Sequence, residues 1–194
     1  MQPRSVLSAC SIADPEPGFR PFCAALKKDY EKFSELVDQG FMASVAGEFS
    51  LIGYVSMLDD ERFLSLLLKE GANPDQLSPP SETVLVAPIF YSVFADNSTS
   101  LNLLMDYGAE INLRNKAGQT PLLYASTLLH FHQVHNLLVA GADYSIESAA
   151  GYDLVDVLGN VYVGEGTSAA FWRKKVIEFL KGRGLVFEYT ETLD

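Results

Sequence analysis

The three histidines of the chain, His130, His132 and His135, all fall within six residues. Imidazole is a common ligand of zinc and copper, so this clustering raises the question of a metal site. A tetrahedral site needs further ligands, and no Cys, Asp or Glu lies in the same segment. The residue types therefore favour structural or solvent-exposed histidines, and we expect neither a metal nor a cofactor.

Catalysis by a nucleophile and a paired base is the other chemistry to consider. The sequence contains neither a GxSxG segment nor a complete phosphate-binding loop. Asp153 and Asp156 could form a carboxylate pair, but aspartates at the first and fourth places of a helix are more simply a cap and a solvated residue. We therefore expect no catalytic residues and no enzyme activity.

The charge of the chain is negative and unevenly distributed. The formal net charge is −11, and between Glu70 and Phe171 eleven acidic residues face only Arg114 and Lys116, a balance of −9. Such a surface excludes nucleic acid as a partner, since phosphates require basic residues. It favours a protein partner with a basic surface, drawn in by long-range attraction, although acidity that serves only solubility is the simpler alternative.

Four glycines recur at nearly regular intervals, and this spacing predicts a repeat protein. Gly40, Gly71, Gly108 and Gly141 are 31, 37 and 33 residues apart, and the last three open the related tetrapeptides GANP, GAEI and GADY. A period in this range is typical of stacked helical repeats, in which each unit contacts only its neighbours.

One unit of this repeat has clear helix signals. Thr120 can cap a first helix that begins with Pro121, and a second helix is predicted from about His132 to Val139, ended by Gly141. The stretch TPLLYA from Thr120, His130 and the stretch LLVAGAD that contains Gly141 resemble the ankyrin repeat. The preceding unit matches 33 residues earlier and the unit before that a further 37 residues earlier, so that a tyrosine recurs at one repeat position in Tyr54, Tyr91 and Tyr124.

The resemblance implies an all-α fold, an ankyrin-repeat solenoid of about five helix pairs with degenerate terminal repeats. We expect a flexible segment over residues 1–18, a single ankyrin-repeat domain over 19–187 and a tail over 188–194. The glycine-rich insertion at 159–168 is predicted to be a surface loop.

Cysteine use and hydropathy predict the compartment. Two cysteines do not make a disulfide framework, and Cys23, among apolar residues, is expected to be a small core residue. The chain has no apolar run long enough to cross a membrane. We expect a cytoplasmic, monomeric protein that does not contact membranes.

In ankyrin proteins the loop tips and the exposed side of the first helices bind the partner, and the resemblance carries this role to nine residues here. Phe90 and Leu123 stand in a column that is often polar, so they are either exposed anchors for a partner or core residues between units. The predicted partner-binding residues are Glu82, Phe90, Phe94, Arg114, Lys116, Leu123, Thr127, Glu147 and Asp156.

These features indicate a protein-binding module. The outline of a small acidic ankyrin domain is similar to that of bacterial immunity-type proteins, which implies a stand-alone inhibitor of a toxic or enzymatic partner. The alternatives are an adaptor or effector that recruits a cellular protein, a structural partner of another subunit and, from another class, an enzyme.

Overall fold

The computed structural model describes residues 6, 9–11, 15–46, 49–79 and 86–187. Across these residues the chain is mostly helical, with ten α-helices and one pair of very short strands, in agreement with the predicted all-α class. None of the described helices is long and apolar enough to cross a membrane. The chain divides into two compact units, one ending at Glu110 and the other beginning at Ile111, and each is described by itself.

The first unit contains three helix pairs. The helices are α1 Arg20–Leu26, α2 Tyr30–Asp38, α3 Leu51–Val55, α4 Glu61–Lys69, α5 Pro88–Phe94 and α6 Ser98–Asp106, with single turns of 3-10 helix at Pro17–Phe19 and Phe41–Ala43. The two helices of each pair contact each other. First helices also contact first helices of the next pair, α1 with α3 and α3 with α5, and second helices do the same, α2 with α4 and α4 with α6.

Two antiparallel strands precede α3, and the sequence did not predict them. They are β1 Val45–Ala46 and β2 Phe49–Ser50, with Val45 opposite Ser50 and Ala46 opposite Phe49. Ser50 then caps α3, since its side-chain oxygen accepts from the backbone N–H of Gly53 at 3.2 Å.

The second unit contains two helix pairs. They comprise α7 Pro121–Thr127, α8 Phe131–Val139, α9 Leu154–Asn160 and α10 Ser168–Lys181. Helix α7 packs on α8, α9 packs on α7, and α10 packs on α8. The predicted insertion is shorter than expected, because α9 includes Gly159 and Asn160, and the connecting loop spans residues 161–167. Tyr162 in this loop is 87% exposed, as a surface loop requires.

Helix ends follow the local signals in the sequence. Thr120 caps α7 by accepting from the N–H of Leu123 at 3.3 Å, and Asp29 caps α2 by accepting from the N–H of Lys32 at 3.0 Å. Gly141 has φ +96°, the left-handed conformation predicted after α8. The other three recurring glycines also have positive φ.

Buried aromatic and aliphatic side chains hold the helices together, with a few polar groups among them. Tyr91 is fully buried and its hydroxyl donates to Ser78 Oγ at 2.9 Å. Burial raises the pKa of Tyr54 and of Tyr124, the other tyrosines of the same column. Gln133 on α8 is also fully buried, and its side-chain amide has no hydrogen-bond partner among the described residues.

Cys10 and Cys23 form a disulfide, which corrects the expectation that Cys23 is only a small core residue. The two Cα atoms are 5.2 Å apart, and both side chains are buried. The N–H of Cys10 donates to the carbonyl of Val6 at 3.0 Å, in a turn that brings residue 10 against α1. Because disulfides are rare in a reducing cytosol, this bond weighs against the cytoplasmic location, which stays a prediction.

Candidate functional site

Two loops of the second unit have the same construction, one helix pair apart. Loop A comprises residues 112–119 and loop B residues 145–152. In loop A the N–H of Asn115 donates to the carbonyl of Gln119, and in loop B the N–H of Ser148 donates to that of Tyr152, both at 2.9 Å. Asn115 and Ser148 also accept backbone N–H groups through their side-chain oxygens, so each loop is closed by its own polar residue.

Loop A is bonded directly to loop B. The N–H of Ala149 donates to the carbonyl of Ala117 at 3.0 Å. The guanidinium of Arg114 donates to the carbonyl of Gly118 at 3.1 Å and to that of Glu147 at 2.7 Å. A charged donor on two carbonyls is stronger than a neutral one, so Arg114 fixes the two loops together.

Side-chain amides extend this connection on both sides. Asn112 accepts from the N–H of Asp143 at 2.9 Å, and the amide of Gln119 donates to the hydroxyl of Tyr152 at 2.9 Å. Loops A and B therefore form one hydrogen-bonded surface rather than two independent turns.

The acidic side chains beside this surface are held as carboxylates or face solvent. The Ser145 hydroxyl donates to Asp143 Oδ1 at 2.7 Å and the Ser145 N–H at 2.9 Å, and these bonds lower the pKa of Asp143. Glu147 and Lys116 are exposed. The surface is thus polar, solvent-facing and rich in ionised groups.

Asp156 has a structural function as well as an exposed position. Asp153 Oδ1 accepts from the N–H of Asp156 at 3.0 Å, and Asp156 Oδ2 accepts from the N–H of Asp153 at 3.0 Å. This reciprocal capping box begins α9. The helix cap predicted for Asp153 is confirmed. Asp156, which the sequence predicted as a partner-binding residue, is the second residue of this capping box.

Two predicted anchors are core residues. Phe90 is 0% exposed and Leu123 is 1% exposed, so the interpretation that they form an apolar patch for a partner is wrong. Both lie on first helices, α5 and α7, within segments that are buried from Pro88 to Val93 and from Pro121 to Ser126. Phe90 and Leu123 occupy a repeat position that is often polar, but in this chain their apolar side chains fill the interior.

The remaining predicted residues are distributed over both units. Phe94 is 40% exposed at the end of α5. Thr127 is exposed at the end of α7, where its hydroxyl donates to the carbonyl of Tyr124 at 2.8 Å. Glu82 lies outside the described residues. Among the predicted residues that the structure describes, Arg114, Lys116 and Glu147 lie within loops A and B.

Two of the three histidines, His132 and His135, contact aromatic rings of α10. The ring centres of His135 and Trp172 are 5.5 Å apart, those of His135 and Phe179 5.8 Å, and those of His132 and Trp172 6.4 Å. His132 and His135 therefore contribute to the packing of α8 against α10.

Sequence reasoning missed the residues that build the loops. Asn115 and Ser148, Gln119 and Tyr152, and the two glycines between them recur 33 residues apart, which was the available signal. The residue types at 115 and 148 and at 119 and 152 differ between the two copies, so a comparison that looks for identical residues finds only the glycines.

Comparison with known proteins gives one partial resemblance and no match to a family model. The chain is 28% identical over 98 residues to a protein of Fowlpox virus (strain NVSL) whose name describes it as an ankyrin repeat protein. The match covers 49% of this chain and 16% of that relative, so the chain spans about a sixth of its length. Across 49% of its length, this chain is therefore similar to an ankyrin repeat protein.

Proposed function

We propose that this chain is a protein-binding module of ankyrin-type helix pairs that inhibits a toxic or enzymatic protein with a basic surface. Loops A and B are the principal contact surface. The observation that carries this proposal is the set of hydrogen bonds that joins the two loops while their outer side chains face solvent.

Rigidity is what makes these loops suited to binding. A surface that is already ordered loses little conformational entropy when a partner binds, and this raises affinity without additional contacts. The side chains that close the loops point into the structure, as the burial of Asn115, Gln119 and Ser148 shows. The exposed positions are left to the partner.

Charge supports the basic character of the partner. Arg114 is engaged by two carbonyls, Lys116 is an exposed cation on loop A, and Glu147, Asp143 and Asp156 are three exposed acids on or beside the loops. Electrostatic complementarity of this kind acts mainly on the association rate and on the choice of partner. A basic active site, such as that of an enzyme acting on phosphates, is the kind of surface that the loops would cover.

The first experiment identifies the partner and separates an inhibitor from an adaptor. The product of the adjacent gene is purified, its binding to the full chain is measured, and its activity is assayed with and without the chain. We expect binding and loss of activity. Binding with unchanged activity would instead support an adaptor or effector, and absence of binding would contradict this choice of partner.

The second experiment tests the surface. Glu147→Lys reverses a charge at loop B and is expected to slow association and to weaken its dependence on ionic strength. The matched control is Asp38→Lys, the same charge change at the exposed end of α2. Equal effects of the two variants would show that only net charge matters and would contradict a site at the loops.

A further inference from the structure

We propose that the outer surface of α10 binds an acidic, leucine-containing segment of another protein. This surface, called the α10 face, consists of Phe171, Lys174, Lys175, Glu178 and Lys181. It lies on a different element from loops A and B, so it goes beyond the proposed function and does not depend on it.

The first argument is the separation of charge within the second unit. Residues 171–187 contain five basic residues and one acid, whereas residues 111–170 contain two basic residues and five acids. In a chain of net charge −11, this stretch of net charge +4 is a local reversal, which ends at the three acids of residues 188–194. Clustered charge of one sign steers partners of the opposite sign.

The second argument is the geometry of the helix. Positions 171, 174, 175, 178 and 181 are three or four residues apart, so they lie on one side of α10. The opposite side carries Val176 and Leu180, both 0% exposed. The α10 face is therefore the side that the second unit leaves to solvent.

The third argument is the combination of an apolar contact with available cations. Phe171 is 57% exposed, and Lys175 Nζ lies 5.9 Å from its ring centre and 3.3 Å from Glu178 Oε2. Within the described residues, Lys174 and Lys181 form no ion pair. Lys174 and Lys181 can each bind a carboxylate of the partner, and the exposed ring of Phe171 can contact an aliphatic side chain between those carboxylates.

Other anionic partners fit this face less well. A helix that lies on a membrane needs a broad apolar side, and the α10 face offers one exposed ring with an acid, Glu178, at its centre. A nucleic acid would meet the same carboxylate and the net charge of −11. A short acidic peptide needs to cover only the α10 face, and it can place its carboxylates on either side of Glu178.

The test uses a fluorescent oligoglutamate peptide with a central leucine, added to the full chain at low ionic strength and followed by anisotropy. The double variant Lys174→Glu, Lys181→Glu is expected to weaken binding by about tenfold or more. Glu178→Gln is expected to strengthen it, an effect opposite in sign to the loss that unfolding of the α10 face would cause. The matched control, Lys27→Glu with Lys69→Glu, makes the same charge change at exposed sites of the first unit.

The outcomes that overturn the proposal are distinct. Absence of peptide binding to the unmodified chain would overturn it, as would equal weakening by the double variant and its control. Binding of anionic phospholipid vesicles or of heparin in preference to the peptide would assign the face to another class of partner. Self-association that the double variant abolishes would show that the acidic segment belongs to a second copy of this chain.

Discussion

Gly118 and Gly151 occupy equivalent places in loops A and B, but only one of them has no room for a side chain. Both have positive φ, +71° and +76°. A Cβ on Gly118 would lie 2.6 Å from the backbone nitrogen of Ala149, whereas a Cβ on Gly151 would meet nothing within 4 Å. The contact that joins the two loops therefore depends on the absence of a side chain at 118.

Gly118→Ala is expected to destabilise the protein by about 2–4 kcal/mol, because it adds a clash with backbone to the cost of the left-handed conformation. Gly151→Ala is the matched control and should cost only about 1–2 kcal/mol, the conformational part. Urea unfolding of both variants measures the difference. Equal midpoints and slopes would contradict the close approach of loops A and B.

Ser145 controls the ionisation of Asp143. The folded state lowers the pKa of Asp143, first through the Ser145 hydroxyl and then through the Ser145 N–H. A lowered pKa gives stability that is present above the ordinary value and is lost as the pH falls through the folded value. Ser145→Ala should raise the pKa of Asp143, as measured by an NMR titration of its carboxyl carbon, while Ser145→Thr should keep it low. An unchanged pKa in the alanine variant would show that the hydroxyl bond does not matter.

At the scale of the element, helix ends and helix lengths could be predicted, because their causes are local. Thr120 and Asp153 bond backbone within three residues, and glycines with positive φ follow the second helices. The strands at Val45–Ala46 and Phe49–Ser50 could not be predicted in the same way, since two residues each carry no periodic pattern.

The disulfide is an element-scale feature that the cysteine count concealed. Cys10 meets Cys23 only because a turn at residue 10 packs against α1, and the sequence contains no local signal for that contact. Two cysteines in a sequence can be two thiols or one disulfide, so the count alone could not predict the bond. The expectation that Cys23 is only a small core residue was therefore wrong.

Removal of this bond should destabilise the chain. The two cysteines are 13 residues apart, and closing a loop of that size is worth about 3 kcal/mol in the chain-entropy model. We expect Cys10→Ser to lower the melting temperature to that of the reduced unmodified chain. Dithiothreitol should have no further effect on the variant, which serves as the control. A melting temperature of the unmodified chain that does not respond to reduction would contradict the prediction.

At the scale of the whole molecule, the net charge of −11 opposes the compact state. Salt should therefore raise the melting temperature between low and physiological ionic strength, because it screens repulsion between exposed acids. The described ion pairs, such as Lys32–Glu35 at 2.7 Å, are exposed. Salt also screens these attractions, which should lower the melting temperature only slightly because exposed ion pairs stabilise weakly. Repeating the measurement near the isoelectric point is the control, where the gain should disappear. A melting temperature that falls with salt would show that ion pairs dominate.

The predicted binding residues show the limit of reasoning from one chain. Whether Phe90 and Leu123 are covered depends on which helices lie over them, and this is set by the fold as a whole rather than by their neighbours in sequence. Arg114 is similar, since its acceptor at Glu147 is 33 residues away. Exposure of single positions is thus the part of a candidate site that sequence predicts least well.

The buried amide of Gln133 implies that this protein is less stable than its own framework permits. The Gln133 amide has no partner among the described residues and so keeps its desolvation penalty, of about 1–3 kcal/mol, whereas a thioether of similar length would not. Gln133→Met should therefore raise the melting temperature, and Gln133→Glu, which buries an acid at the same place, should lower it. A thermostable version of this chain for crystallisation or evolution experiments is then one substitution away, at a position that leaves the outer faces of loops A and B and of α10 unaltered.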